Sequence, residues 1–392
     1  MANTLKFGNG EWYGKKDTIL AYNSENNNYK PLPFTFDRAS SATRVNKDGL
    51  IETVGADQPR VDYLNDSKGA LKLEPSRSNK ITYSIPDSNW NIENGAIVTE
   101  NYAISPDGSQ NASRVQIPSG SLARIHKSFT VDSNEDSVSF YIKSNTGSNF
   151  NVAFYLRDAG FGTVRYQDTS LEITTEWQRV KIENQDLSAA SVQVMVLFYN
   201  TAGSGNTWDF SLWGVQAEEG SYATSYIPTQ GQSGGVTRVA DSCNNGGNEQ
   251  VINSTEGVLY AEMSALADDG TKRYISLSDG SNSNDVRLYF DTGGYISALT
   301  KVGGSTQAFL QTNAYTQTDF NKIAFKYKEN DFSLYVNGVE VATDNLGSVN
   351  TANTLNELAF FGNLLPFYGN VKDVRVYNTA LTDNELIALT TI

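Results

Sequence analysis

Short runs of alternating apolar and polar residues dominate the chain, and clusters of Gly, Asn, Asp and Ser separate them. That period of two predicts half-buried β-strands. Along SVSFYIKS, Val138, Phe140 and Ile142 share one face, opposite Tyr141 and Lys143. Along NFNVAFYLRD, Phe150, Val152, Phe154 and Leu156 alternate with Asn151, Ala153, Tyr155 and Arg157. Along SVQVMVLFYN, Val192, Val194, Val196 and Phe198 alternate with Gln193, Met195, Leu197 and Tyr199. The first set in each run is the expected core face. The second set is not purely polar, so these strands also expect cover from outside: a sugar, another protomer or a neighbouring domain.

Towards the C-terminus, KIAFKYKEN places Ile323, Phe325 and Tyr327 on one side. In FSLYVNGVEVATD, Asn337-Gly338 joins two alternating runs and predicts a two-residue type I′ hairpin with Phe332, Leu334 and Val336 facing inward. One helix is expected. Thr382, followed three residues later by Glu385, makes a capping box ahead of LIAL. No strand–helix alternation appears, which excludes a parallel α/β sheet.

The fold class expected is therefore all-β: two antiparallel β-sandwich (jelly-roll) domains preceded by an irregular, β-rich N-terminal cap. Residues 1–80 hold Pro31, Pro33, Pro59 and Pro75, four of the nine prolines, and read as an attachment segment of edges and loops. Residues 81–230 read as one jelly roll, 231–250 as a polar linker and 251–392 as a second sandwich.

Composition narrows the function classes. Hydrophobic residues are 39% and charged residues 19%, with 21 Tyr and 18 Phe, which is globular rather than disordered. No apolar run approaches the roughly 20 residues that span a bilayer, so membrane insertion is not expected. The N-terminus lacks the apolar stretch of a signal peptide, which points to cytoplasmic synthesis and release by lysis. The net charge of −14 repels phosphate backbones and argues against nucleic acid. Cys243, alone, excludes an intramolecular disulfide and reads as a thiol in a loop. His126, also alone, excludes His-pair metal sites and sits among apolar strand residues.

Three motifs carry a family resemblance. FTFDRASSATRVNKDGLIETV (Phe34 to Val54), with PRVDYLND and LKLEPSRSN, resembles a cap found near the N-terminus of tailed-phage virion proteins. WGVQAEEGSYATSYIPT (Trp213 to Thr229) resembles the last strand of the carbohydrate-binding-module-like jelly roll that follows such caps. YVNGVEVA and GNVKDVRVYNTALTDNELIAL are similar to the end of laminin-G/concanavalin-like domains. The resemblance implies a head-fibre, decoration or tail-fibre subunit on the virion surface, homotrimeric and bound to other virion proteins of the capsid or tail. The Asn-rich composition suits a crAss-like phage. Host or mucosal glycans are the implied outside partners. The alternatives are a stand-alone lectin-like protein and, further off, a glycan-degrading enzyme.

The residues themselves give little support to catalysis. Glycoside hydrolysis needs two carboxylates facing one scissile bond, and no E-x-D-x-x-E run exists; Glu218 and Glu219 are adjacent, hence on opposite sides of a strand. No cofactor is expected beyond a possible structural calcium, for which Glu74, Glu218, Asp268, Asp269 and Asp279 are the acidic candidates. In the N-terminal segment, Arg38, Arg44 and Arg60 stand among Asp37, Asp48, Asp57 and Asp62 and are expected to brace it through guanidinium–carboxylate pairs, the alternative being a glycan or phosphate site. For sugar binding the candidates are Tyr141, Tyr155, Arg157, Tyr199 and Trp213, aromatic faces and a guanidinium on the outward side of their strands. The same outward tyrosines suit a trimer interface equally well. Trp90, Trp177 and Trp208 are expected in the core.

Overall fold

The computed structural model describes residues 5–23, 28–64, 66–119, 122–131, 135–187, 193–200, 205, 207–362 and 365–392; Val192 and the side chains of residues 20–31 lie outside the description. The described chain is nearly all β, with one helix at Asp383–Thr390. It divides into two compact units, 1–49 with 53–75 and 239–392, and 50–52 with 76–238. The expected all-β class with two antiparallel sandwiches stands.

The second unit packs two five-stranded sheets. One runs in the order Asn91–Glu93, Arg124–Thr130, Gln193–Tyr199, Phe150–Asp158, Val164–Ile173. The other runs Ile97–Ile104, Gln110–Ile117, Trp208–Glu219, Asp136–Ser144, Gln178–Gln185. Their facing sides supply Val138, Phe140, Ile142, Val152, Phe154, Val194, Val196 and Phe198 to one core, as the alternation predicts. Trp90 and Trp208 join it, whereas Trp177 stays half-buried.

The first unit joins the two ends of the chain. Leu5–Gly8 pairs antiparallel with Gly369–Tyr377, Leu5 opposite Val376, and Asn28–Asp37 extends the same 12-stranded sheet through Thr18–Asn23. A five-stranded sheet built on Arg273–Ser278, Asp285–Asp291 and Tyr295–Val302 closes the sandwich, and Phe7, Phe34, Leu288 and Phe325 meet in its core. Residues 1–80 are thus not a separate domain. Their prolines mark a real irregularity, since the ladder between Thr18–Asn23 and Asn28–Asp37 slips register between Ile19 and Ala21. The strands around it nevertheless bury Phe34 and Phe36 completely, and that burial places them in the C-terminal sandwich.

Residues 231–250 are likewise not a free linker. Val236–Arg238 pairs with Arg77–Asn79 in the second unit, and Ser242–Asn244 pairs with Asn28–Asp37 in the first. Cys243 consequently lies buried in a strand rather than in a loop, and burial pushes its thiol well above the ordinary range. Such a thiol is inert at neutral pH.

The arginine brace exists, with different partners from those expected. Arg60 forms ion pairs with Glu74 and Asp241, Arg38 reaches Asp241 at 3.1 Å, and all four are buried. Backbone bonds complete it: Glu74 N–H donates to Asp241 Oδ2 (2.8 Å) and Asp241 N–H to the Glu74 carbonyl (3.0 Å). Among the aspartates expected to pair, Asp57 accepts from the Arg38 backbone N–H at 3.1 Å and Asp62 takes Lys72 at 2.6 Å. Two guanidinium forks beside two carboxylates leave no net charge in the low-dielectric interior.

The local sequence rules hold in the C-terminal part. Asn337 and Gly338 both adopt positive φ (51° and 84°), as a type I′ turn requires, and Val336 pairs with Val339 across it. Glu385 reaches back to accept the Thr382 N–H at 2.9 Å, closing the capping box.

Candidate functional site

The five residues chosen for sugar binding fall into two groups, on different sheets of the second unit. Tyr141 and Trp213 belong to the sheet containing Asp136–Ser144 and Trp208–Glu219, whereas Tyr155, Arg157 and Tyr199 belong to the other.

Trp213 is not on the surface; 2% of it is exposed. Gly214 takes a left-handed conformation (φ 64°), and the pairing with Asp136–Ser144 slips register at that point. The indole therefore points out of the sandwich core, but the segment after the strand folds back over it. Tyr226 packs on Trp213 at a tilt, 4.4 Å between ring centroids, and Tyr141 meets it edge-on at 5.5 Å. Gln216 and Glu218 hold that segment by its backbone, accepting the N–H groups of Ile227 (2.6 Å) and Thr224 (2.8 Å). The cover expected over this sheet is the chain's own.

The second group makes a surface platform. Tyr155 is buried, 8% exposed, and lies 6.2 Å from half-exposed Tyr199. Burial raises the Tyr155 phenol, with Tyr199 adding to the effect, so it stays neutral. Residues 159–163, between two strands, bring Phe161 over the sheet in a left-handed conformation (φ 63°). Arg124 sits 3.8 Å from the Phe161 ring centroid and 5.8 Å from that of Tyr199. Arg157 lies 5.8 Å from Phe161 and donates to the Gly162 carbonyl at 2.7 Å.

Beneath them Met195 and Leu197 are fully buried, although they face away from the sandwich core. Burial disfavours the Glu93 carboxylate, but hydrogen bonds from His126 (3.2 Å) and Arg124 (2.7 Å) outweigh it and lower its pKa. His126 is thus a strand residue anchored to Glu93. Phe161 and Arg124 escaped the sequence reading, because a Phe in a Gly-flanked loop has no periodicity to report it.

The same sheet face continues into a polar groove of about 1100 Å³. Ser128, Thr130 and Gln193 line it from the strands that carry Arg124 and Tyr199, and Arg77, Lys80 and Glu219 add charged groups.

Four of the five acidic candidates for calcium are held by the protein itself, and the fifth, Asp268, is exposed. Glu74 is paired with Arg60, and Asp269 with Arg273 at 2.8 Å. Asp279 accepts from Asn284 (2.8 Å) and the Ser281 N–H (2.9 Å). Glu218 is buried, which raises its pKa despite bonds from Thr224 and Gln216. Among the described residues no three His, Cys, Asp or Glu side chains converge as a metal site. Glu219, next to buried Glu218, is exposed on the opposite side of the strand, so the two carboxylates do not face one bond.

The first unit explains its own signature: the hairpin at Asn337-Gly338 and the strand Gly369–Tyr377 sit in the larger sheet of a two-sheet sandwich. Residues 259–387 match the Concanavalin A-like lectin/glucanases superfamily. Of the two units, the first is thus the one that carries the lectin/glucanase-like region. No curated protein sequence matches the chain.

Solved structures with a similar fold include the CBM40 of the Ruminococcus gnavus IT-sialidase bound to α2,3-sialyllactose. It is 20% identical with a TM-score of 0.30, and the match covers 35% of this chain and 83% of that one. Domain 4 of AbnA, a GH43 extracellular arabinanase from Geobacillus stearothermophilus in complex with arabinotriose, is 14% identical with a TM-score of 0.33, covering 39% and 73%. A heptameric SAP-like pentraxin from Limulus polyphemus is 9% identical with a TM-score of 0.30, covering 66% and 82%. The likeness is one of fold alone.

Proposed function

We propose that this protein is a non-enzymatic surface subunit of a tailed-phage particle that attaches to host or mucosal glycans through its second unit. The observation that carries the glycan reading is the platform of Tyr199, Phe161, Arg124 and Arg157. Half-exposed aromatic rings meet the apolar faces of pyranoses, and guanidinium donors beside them satisfy hydroxyl oxygens. Tyr155, below, fixes the position of Tyr199, and the polar groove along the same strands offers further hydrogen-bonding groups to a longer chain.

The particle assignment is supported by the resemblance of residues 34–54 to the N-terminal segments of phage virion proteins, and by a net charge of −14, which favours solubility in a crowded assembly. On this reading the chain is a homotrimer that contacts other virion proteins and is released by lysis.

A glycan array with the intact protein tests the binding half. Wild type gives signal on a defined set of glycans, and Tyr199→Ala combined with Phe161→Ala removes it while the melting temperature holds. A silent wild-type array, or a double variant that binds normally, rejects the platform. Immunogold labelling of purified virions and light scattering test the other half: absence from particles, or a monomer at micromolar concentration, rejects it.

A further inference from the structure

The outer face of the other sheet in the second unit carries a constellation that the platform does not use. Strand Ile97–Ile104 is an edge strand whose pairing breaks between Thr99 and Ala103, where Asn101 takes a left-handed conformation (φ 52°). The break leaves Tyr102 and Ile104 exposed, at 43% and 62%. Tyr102 does not hang free, because the Arg114 guanidinium lies 4.9 Å from its ring centroid.

Arg114 in turn forks onto Asp209, with Nε to Oδ1 at 2.9 Å, and that bond raises the one pKa and lowers the other. Asp209 also accepts from Asn145 (3.1 Å) and Gln116 (3.3 Å), and Ser211 donates to Asn145 Oδ1 at 2.9 Å. Half-buried Trp177 donates its indole N–H to the Ile104 carbonyl at 3.0 Å, and Lys143 Nζ lies 5.3 Å from its ring centroid.

Two aromatic rings are therefore fixed from below and at the edge, with a floor of amide, carboxylate and guanidinium groups supplied by two neighbouring strands and by Asn145, which follows a third. Fixing the rings in advance removes the entropy that a ligand would otherwise have to take from them. Rings braced in this way, beside donors and acceptors of both kinds, suit a hydroxyl-rich six-membered ring better than a flat apolar partner.

We propose that Tyr102 and Trp177 form a second saccharide-binding site, on the sheet opposite the Tyr199 platform, that takes a pyranose against the two rings. This inference rests on the glycan-binding reading given above and makes the second unit divalent. Two sites on one unit raise the apparent affinity for a polysaccharide well above that of either alone.

The test uses the full chain in affinity electrophoresis against a neutral hexose polysaccharide and, separately, a uronate-containing one. Five proteins are compared: wild type, Tyr102→Ala, Trp177→Phe, the platform variant Tyr199→Ala/Phe161→Ala, and that variant carrying Tyr102→Ala as well. Tyr102→Ala is expected to weaken retention roughly tenfold, the size of one lost aromatic stack, and the platform variant to keep residual retention that Tyr102→Ala then abolishes. Loss of retention in Tyr102→Ala on either polysaccharide supports the site, and which polysaccharide shows it identifies the class of sugar.

A second readout does not depend on the stability of an alanine variant. Ligand should shield part of the tryptophan fluorescence from iodide quenching, and Trp177→Phe should lose that shielding. If wild type binds and neither Tyr102→Ala nor Trp177→Phe changes retention or shielding, the second site is overturned while the platform stands. If wild type binds no polysaccharide, both readings fall together.

Discussion

At the scale of single residues, the difference between an outward position and an exposed one decides most of the functional reading. Period-two alternation places Trp213 and Tyr155 away from the sandwich core, and both do point away. Neither is open to solvent: Tyr226 packs on the first and Tyr199 on the second. Alternation reports the side of a sheet, and cover depends on segments that carry no period of their own. Trp213→Ala should therefore cost about 3–5 kcal/mol in denaturant unfolding, as a large buried ring does, and leave the glycan-array pattern unchanged. An array that changes with no loss of stability would return Trp213 to the binding site. Arg60→Leu is the second residue-scale expectation. It removes the guanidinium that pairs with both buried carboxylates, Glu74 and Asp241, for a loss of about 3–5 kcal/mol; a loss below about 1 kcal/mol would show that the brace is not under electrostatic load.

Among elements, local rules were readable and distant pairings were not. The Asn337-Gly338 turn and the Thr382–Glu385 capping box each depend on neighbours a few residues apart, and the structure has both. Replacing Gly338, at φ 84°, by Ala should destabilise by about 1 kcal/mol, seen as a lower denaturant midpoint at constant slope. An unchanged midpoint would mean that the turn relaxes to another type. By contrast, Leu5 meets Val376 across nearly the full length of the chain, and Cys243 meets Phe36 across some two hundred residues. Proline density and polar composition made those segments look like a cap and a linker, because neither measure sees a partner strand so far away.

For the whole molecule, net charge and buried pairs predict behaviour in acid. Asp158, hydrogen-bonded to Arg165 at 2.7 Å, and Asp209, bonded to Arg114, have lowered pKa values in the fold. The unfolded chain takes up those protons first, so the stability they contribute is present above the ordinary carboxylate range and is lost as pH falls through the lowered values. Glu218, Asp285 and Asp373, raised chiefly by burial, pull the other way. Asp158→Asn should thus lower the melting temperature at about pH 6 and approach wild type as the pH falls through the lowered value. A gap that stays constant with pH would assign the loss to shape rather than charge.

The brace of Arg38, Arg60, Glu74 and Asp241 has one more consequence. The chain leaves the first unit at Pro75 and returns at Val239, and Glu74 and Asp241 bond to each other at that doorway. The exit and the entry are stitched together inside the host sandwich, which therefore does not depend on the passenger to hold its two ends in place. Exchange of the second unit for another insert should therefore leave the first unit and its core as they are.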